Sequence, residues 1–343
     1  MAHFFGTIWP YLVAILLFLV MIVIHEFGHF LAAKLMGVRV NEFSVGFGPA
    51  LFKKQGKETL YALRAVPFGG YCAMEGEDNG SEDPRAFCNK AAWRRFIIII
   101  AGAAFNIIFG FVLVMCMLSP AKRFITTTVD GFHEQSRSSE VLQEGDRIMR
   151  VGGRRVLSIY DLSYCLSNVE GDTLDMQVMR DGKKTELTVP FDAEEVDGIN
   201  YVKIDFYLET EAKTFGTFIS QSFTRTVSYV KVVWFSLIDL LTGKYGISQM
   251  SGPVGVTAAI GSATKTGLGD LLAIIALITI NLGVFNLLPV PALDGGRAFF
   301  ILVEMIFRRP IPKKFEAVVH AVGLVILLGF IAVITVKDIV GFF

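Results

Sequence analysis

Two histidines and a glutamate stand together near the start of the chain, in the segment His25-Glu26-Phe27-Gly28-His29. On a helix, residues four apart share a face, so both imidazoles can bind one Zn²⁺ ion while Glu26 takes a proton from the water that the metal activates. The segment interrupts an apolar stretch, where such polar side chains are costly and are normally kept for function. A cluster of helix-packing hydrogen bonds is the alternative, which the spacing and the residue types disfavour.

A catalytic zinc usually has three protein ligands and one open position, so a third ligand must come from elsewhere in the chain. The other histidines are His3, His133 and His320. A carboxylate is the better candidate, namely Asp294 in Asn286-Leu-Leu-Pro-Val-Pro-Ala-Leu-Asp294-Gly-Gly. Pro289 and Pro291 predict a helix break just before it, and irregular backbone at membrane depth implies a polar cavity. For this segment alone, an interfacial turn that ends a helix is the alternative.

The composition is typical of a membrane protein, with 53% hydrophobic and 19% charged residues and a mean hydropathy of +0.54. Four stretches lack charge for long enough to cross a bilayer core, which takes about 20 residues. They are residues 4–24, 96–120, 271–293 and 317–336. The first is interpreted as a retained helix, because it has neither the basic start nor the small-residue cleavage site of a signal peptide.

Charge and cysteine content exclude other classes. The net charge is zero, so there is no basic excess to neutralise a phosphate backbone, and nucleic acid is not expected as a partner. The four cysteines follow neither metal-ligand spacing nor a disulfide framework. Redox chemistry is therefore not expected.

The Lys and Arg residues in the short segments between spans predict how the chain is oriented in the membrane. Residues 34–95 contain ten of them and residues 294–316 contain five, whereas residues 1–24 contain none. Both basic segments are expected in the cytoplasm, and both termini and the long segment 121–270 outside. The first and third spans then run in the same direction, which puts His25 and Asp294 at similar depth near the cytoplasmic side.

The long outer segment predicts a small β-rich domain followed by helical sequence. Within it, MQVMRDGKKTELTV predicts a tight hairpin, because Asp181-Gly182 supplies the positive φ angles that such a turn requires. Residues 215–241 show helical spacing of apolar residues. A surface amphipathic helix fits them better than a fifth span, since charges in the middle of a span are costly in lipid.

These motifs together resemble the site-2 protease family of intramembrane zinc metalloproteases, and most closely its bacterial RseP/RasP group. The likeness continues through Gly46-Phe-Gly-Pro49, Val66-Pro-Phe-Gly-Gly-Tyr71, Ala101-Gly102 with Phe105-Asn106, and Ser251-Gly-Pro253. The resemblance implies that His25, His29 and Asp294 bind Zn²⁺ and that Glu26 is the catalytic general base. It also implies that Asn286 holds the substrate backbone.

The resemblance extends to two further elements. Residues 144–153, EGDRIMRVGG, are similar to a stretch of bacterial PDZ domains, and the outer segment has room for one such domain. Residues 59–71, TLYALRAVPFGGY, are expected to form a membrane-associated β hairpin, whose edge can replace the hydrogen bonds of an unwound substrate helix. Phe68, Gly69 and Pro289 are accordingly expected to bind substrate. An ordinary cytoplasmic hairpin is the alternative.

The sequence therefore predicts a polytopic α-helical membrane protein of about four transmembrane helices with an inserted extracytoplasmic PDZ-like β-rich domain. The expected divisions are residues 1–120, 121–210, 211–266 and 267–343. By resemblance, it is an intramembrane zinc protease of the bacterial cytoplasmic membrane that cleaves membrane-anchored substrates such as trimmed anti-sigma factors or signal-peptide remnants, in regulated intramembrane proteolysis. The alternatives are a membrane transporter and a PDZ-bearing membrane scaffold with a non-catalytic metal site.

Overall fold

A computed structural model describes residues 2–77, 80–167, 169, 171–196, 199–244, 246 and 250–341, without the side chains of residues 2–8, 10, 68, 195, 196, 199 and 200. Two compact units divide the chain, Met1–Leu113 with Asp239–Phe343 as the first and Val114–Ile238 as the second. In chain order, the helices and strands are α1 (Ala2–Leu35), β1 (Val40–Gln55), β2 (Leu60–Met74), α2 (Ala92–Leu118), β3 (Arg123–Phe132), β4 (Arg147–Val151), β5 (Arg154–Arg155), α3 (Ile159–Cys165), β6 (Thr173–Arg180), β7 (Lys183–Pro190), β8 (Ala193–Val196), β9 (Ile199–Val202), β10 (Phe206–Ala212), α4 (Phe215–Leu241), α5 (Pro253–Thr266), α6 (Leu268–Leu287), α7 (Asp294–Phe307) and α8 (Lys313–Val340).

Four of these helices are long and apolar enough to cross a membrane, which confirms the four predicted spans. They are α2, α6, α8 and the part of α1 from Tyr11 to Leu35. In the most apolar stretch of α8 only 6% of the residues are buried inside the protein. Because so much exposed apolar surface is unfavourable in water, a lipid bilayer must cover it, and the chain is a membrane protein.

The helix of the third predicted span ends before the apolar stretch of residues 271–293 does. α6 stops at Leu287 and α7 begins at Asp294, so the predicted helix break is confirmed. Pro289 and Pro291 have no N–H group to donate to a helix, which accounts for the break. Gly295 then brings α7 back against the end of α6, since a Cβ at this position would overlap the Leu288 carbonyl oxygen.

β1 and β2 form a small sheet in which each strand bends at its middle. Residues 42–45 pair with residues 60–63 on one side and with residues 70–73 on the other, and residues 52–55 also pair with residues 60–63. The bends contain Gly46, Gly48 and Gly69, whose φ angles are 83°, 82° and 92°. β structure over the predicted hairpin is therefore confirmed. The Pro-Phe-Gly-Gly segment bends β2 within its length, however, and the connection between the two strands lies at residues 56–59.

The second unit contains a sheet of strand order β10-β3-β4-β6-β7, with β5 paired to β4. β6 and β7 meet in a two-residue turn at Asp181 and Gly182, whose φ angles of 50° and 74° confirm the predicted hairpin. The sequence did not predict α3. Ser158 is the N-cap of this helix, and its hydroxyl accepts the Tyr160 N–H in a capping box with Asp161.

The predicted amphipathic helix is confirmed as α4, and it is not among the helices suited to cross a membrane. A buried polar network joins α4 to α3. Ser158 Oγ donates to Ser228 Oγ at 2.8 Å, and Ser228 Oγ donates to Asp161 Oδ2 at 2.9 Å. On the opposite side of α4, Phe223 and Trp234 are exposed, so the helix presents one polar anchored face and one apolar face.

The second unit also depends on a fully buried carboxylate, Asp146. Its two oxygens accept from Arg180 Nε at 2.8 Å and Nη2 at 2.6 Å. Asp146→Ala leaves the guanidinium with the Val141 carbonyl oxygen as its remaining partner and removes the acceptor of the Gln143 N–H, and we expect a loss of about 1–3 kcal/mol in the unfolding free energy of this unit. Hydrogen exchange of β4 and β6 in the full chain measures the loss. In the control Asp172→Ala, which removes an exposed partner of Arg137, the loss should stay below about 1 kcal/mol; equal losses would contradict the prediction.

Candidate metal centre

The candidate metal centre lies where α1 and α2 touch at glycines. A Cβ on Gly28 of α1 would be only 2.5 Å from the Ala101 carbonyl oxygen and 2.9 Å from Gly102 Cα. A Cβ on Gly102 of α2 would overlap His29 Nε2 and lie 2.9 Å from His25 Cε1. Glycine at both positions lets the two backbones approach closely, and the space beside them is filled by the two imidazoles.

Asp294, the first residue of α7, faces both imidazoles. Its Oδ2 lies 2.9 Å from His25 Nε2 and 3.1 Å from His29 Nε2, and the two nitrogens are 3.2 Å apart. In a tetrahedral zinc site with bonds of about 2.1 Å, ligand atoms are about 3.4 Å apart. A movement of a few tenths of an ångström therefore suffices, and the structure brings together three side chains that could hold a metal ion.

The hydrogen-bond chemistry of this group also fits a cation. His29 Nδ1 lies 2.9 Å from the Ile98 carbonyl oxygen, to which it can only donate. A neutral His29 then presents the lone pair of Nε2 to Asp294 Oδ2, and two acceptors this close repel unless a proton or a cation lies between them. Burial raises the pKa of Asp294, but hydrogen bonds from His25 and His29 outweigh it and hold the pKa below its ordinary value. Metal binding would displace those protons.

Asn106 of α2 contacts the His25 imidazole on the side of Nδ1, away from Asp294. Its side chain is fully buried, and its amide lies 3.2 Å from His25 Nδ1. With Nδ2 facing the ring, Asn106 Oδ1 has no hydrogen-bond partner in the described part of the chain. Rotating the amide by 180° lets Oδ1 accept from His25 Nδ1–H, which satisfies the oxygen and directs the lone pair of Nε2 toward Asp294. Each imidazole is then oriented by α2.

Glu26 lies beside the sheet formed by β1 and β2. A Cβ on Gly70 would be 3.5 Å from Glu26 Cγ and 2.9 Å from the Ser44 carbonyl oxygen. The Ser44 carbonyl therefore requires the glycine, and Glu26 lies at ordinary contact distance from this position. The Glu26 carboxylate is half-buried. Because Glu26 lies between His25 and His29 in α1, it is next to the three candidate ligand side chains.

The residues expected to bind substrate lie on two different elements. Asn286 is in the last turn of α6 and Pro289 in the break that follows, and among the described residues neither forms a hydrogen bond to the three ligand side chains. Phe68 and Gly69 lie in the bend of β2, where Gly69 packs against the ring of Phe47. The Phe68 side chain lies outside the described part of the chain.

Sequence reasoning missed three contributors to this site. The Ile98 carbonyl belongs to the backbone and leaves no sequence signal. Gly102 and Asn106 belong to the family resemblance without a predicted role, although a glycine and an asparagine one turn apart in an apolar span indicate close packing around a polar group. His320 is not a ligand of this group; its Nδ1 instead accepts from the Ala292 N–H at 3.0 Å.

Four membrane-length helices and a His-His-carboxylate group with a glutamate beside it define a membrane protein with a candidate metal site suited to hydrolysis. The chain belongs to peptidase family M50, whose sequence profile matches residues 13–330. A protein of Clostridium acetobutylicum is 36% identical over 334 residues, which cover 96% of either chain. One of Fusobacterium nucleatum is 34% identical over 340 residues, or 96% of this chain and 98% of the relative.

Both relatives bear names that describe candidate zinc metalloproteases. The predicted site-2 protease family, the zinc cofactor and the peptidase class are confirmed, and this chain is a zinc metalloprotease. The finding favours the protease over the transporter and scaffold alternatives.

The orientation of the Asn106 amide can be tested by substitution. Asn106→Asp keeps an acceptor of the same shape, so it should retain zinc affinity, whereas Asn106→Leu should weaken it by about 10-fold or more, because the imidazole is no longer oriented. Chelator competition with the purified protein measures the affinity. If Asn106→Asp were as weak as Asn106→Leu, the amide would have to act as a donor to His25.

Proposed function

We propose that this metalloprotease hydrolyses peptide bonds within or near the transmembrane segments of membrane-anchored proteins. One observation carries the proposal: His25 and His29 lie in the stretch Tyr11–Leu35, which is long and apolar enough to cross a bilayer. Their side chains are only 12% and 8% exposed. A site in such a helix is accessible to a substrate segment that itself lies in lipid.

In this proposal His25, His29 and Asp294 hold Zn²⁺, and Glu26 is the general base. When bound, Zn²⁺ polarises a scissile carbonyl and makes water nucleophilic at neutral pH. Glu26 accepts a proton from the attacking water and passes it to the leaving nitrogen. No covalent link to the protein is needed, because water is the nucleophile.

Substrate binding is assigned to the bend of β2 and to the end of α6. Residues 70–73 pair with residues 42–45 on one side, and within the described ranges no strand pairs with their other edge. A substrate strand added along that edge would pass Glu26, which lies beside Gly70. Phe68 and Gly69 would contact it in the bend. Asn286 and Pro289, which lead toward Asp294, would bind its backbone from the opposite element.

We infer that the protein resides in the bacterial cytoplasmic membrane, with both termini outside and the site near the cytoplasmic side. The basic residues between the spans and the bacterial relatives support this. A small sheet with one short helix supports a PDZ-like domain over residues 121–210, followed by the juxtamembrane region 211–266 and the last two spans in 267–343. Residues 1–120 then hold the first two spans. Suitable substrates are single-span proteins already trimmed outside, such as anti-sigma factors or signal-peptide remnants.

Metal binding and chemistry can be separated at Glu26. Glu26→Gln should keep about one zinc per chain and abolish cleavage of a model transmembrane substrate, because only the base is lost. Asp294→Ala should lose metal affinity as well. Zinc analysis alongside cleavage by the purified protein measures both, and normal cleavage by Glu26→Gln would exclude the mechanism.

Cysteine labelling tests the orientation. Burial and the nearby Glu26 and Glu77 raise the pKa of Cys72 to about 12, so its thiol should not react near neutral pH. The half-exposed Cys88 is the inner probe, with Cys116 and Cys165 replaced by serine, and Lys184→Cys on the exposed β6–β7 turn region is the outer probe. An impermeant maleimide should label the outer probe in intact cells and Cys88 only after permeabilisation; the reverse pattern would invert the orientation.

A further inference from the structure

The segment between α6 and α7 contains a backbone conformation that is unfavourable for its residue. Ala292 has a φ of +77°, in the left-handed region that residues other than glycine avoid. It stands two residues before Asp294. Such strained positions persist only where surrounding contacts impose them.

α8 supplies two contacts to this segment. The Ala292 N–H donates to His320 Nδ1 at 3.0 Å. One turn further along α8, a Cβ on Gly323 would overlap Pro291 Cβ and lie 2.9 Å from the Pro291 carbonyl carbon. The glycine therefore lets the helix and the segment touch, and the imidazole fixes the N–H of the strained residue.

His320 is otherwise hard to explain. It lies in a helix suited to cross a membrane, where a histidine is costly. Its Nδ1 accepts from the backbone, so the ring proton is on Nε2, and Nε2 is buried without a partner among the described residues. Together with Ala292 and Asp294 it lines a cavity of about 280 Å³. Among the described residues, the bond from the Ala292 N–H is the one hydrogen bond that this ring makes.

We propose that His320 is a positioning residue for the metal centre: it holds the strained backbone at Ala292 that directs Asp294 toward the imidazoles of α1, and Gly323 provides the room. The inference rests on the proposed role of Asp294 as a zinc ligand. Without the acceptor on α8, Ala292 relaxes out of the left-handed region and Asp294 leaves its place opposite His25 and His29. The consequence is a weaker zinc site in a protein whose ligands are all intact.

The test is the zinc dissociation constant of the purified full chain, measured by competition with a chromogenic chelator. His320→Leu should weaken zinc binding by about 10-fold or more. His320→Gln, which keeps an acceptor, should recover to within about 3-fold of wild type. Ala292→Gly should restore binding in the His320→Leu background, because glycine adopts the left-handed conformation without strain, a difference of about 5- to 30-fold in an equilibrium constant.

α8 also offers a test variant with a matched control. Gly323→Ala should weaken zinc binding through Pro291, whereas Gly329→Ala on the same helix meets nothing within 4 Å and should bind zinc as wild type does. Thermal unfolding of each variant separates metal affinity from misfolding, and if His320→Leu fails to fold, the Gln variant and the glycine pair carry the test.

Any of three results would overturn the inference. Two of them are wild-type affinity in folded His320→Leu and a double variant that binds zinc no better than His320→Leu alone. Equal affinity in Gly323→Ala and Gly329→Ala would likewise remove the role of α8. Asp294→Ala distinguishes failure of the proposed ligand set from failure of the positioning role. If it keeps zinc, the proposed ligand set fails; if it loses zinc while His320→Leu does not, only the positioning role fails.

Discussion

The contact between Gly28 and Gly102 is the constraint on which the site depends. In lipid, apolar side chains gain little by leaving their surroundings, so close helix contact requires small residues that let backbone atoms meet. The contact brings α2 near enough to α1 for the Ile98 carbonyl to reach His29 and for Asn106 to reach His25. α2 therefore contributes no ligand of its own, yet it fixes the orientation of both imidazoles.

The same helix is joined to α6 by a second pair of glycines. A Cβ on Gly110 would overlap Ile280, and one on Gly283 would lie 2.9 Å from the Ala103 carbonyl oxygen. α2 thus lies against both helices that lead to the ligands. If α6 continued as a helix from Leu287 to Asp294, it would rise by about 10 Å, at 1.5 Å for each residue. The proline break shortens this path, so the carboxylate can turn back toward α1.

Local patterns account for the features that sequence could predict. Charge-free length predicts the four spans, the Asp181-Gly182 dipeptide predicts its hairpin, and the proline pair predicts the end of α6, because each depends on neighbouring residues alone. The candidate ligands His25 and His29 follow from residue type and spacing, and Asp294 follows from residue type and the family resemblance. What sequence could not predict depends on distant partners: the bends of β1 and β2 require their mutual pairing, and α3 was hidden in a segment rich in strand signals. The Ile98 carbonyl has no side-chain signature at all.

Polar side chains also decide where α8 lies. At its start His320 accepts from Ala292, and at its end Asp338 Oδ2 accepts the N–H groups of Gly252 and Gly255, both at 2.8 Å. Between these contacts the helix lines an apolar cavity of about 410 Å³ with Val322 and other aliphatic residues. Lipid chains compete with such apolar packing but cannot replace a hydrogen bond to a backbone N–H. Two polar contacts therefore fix the position of α8, and since one of them is made with the segment before Asp294, the placement of this helix bears on the position of that carboxylate.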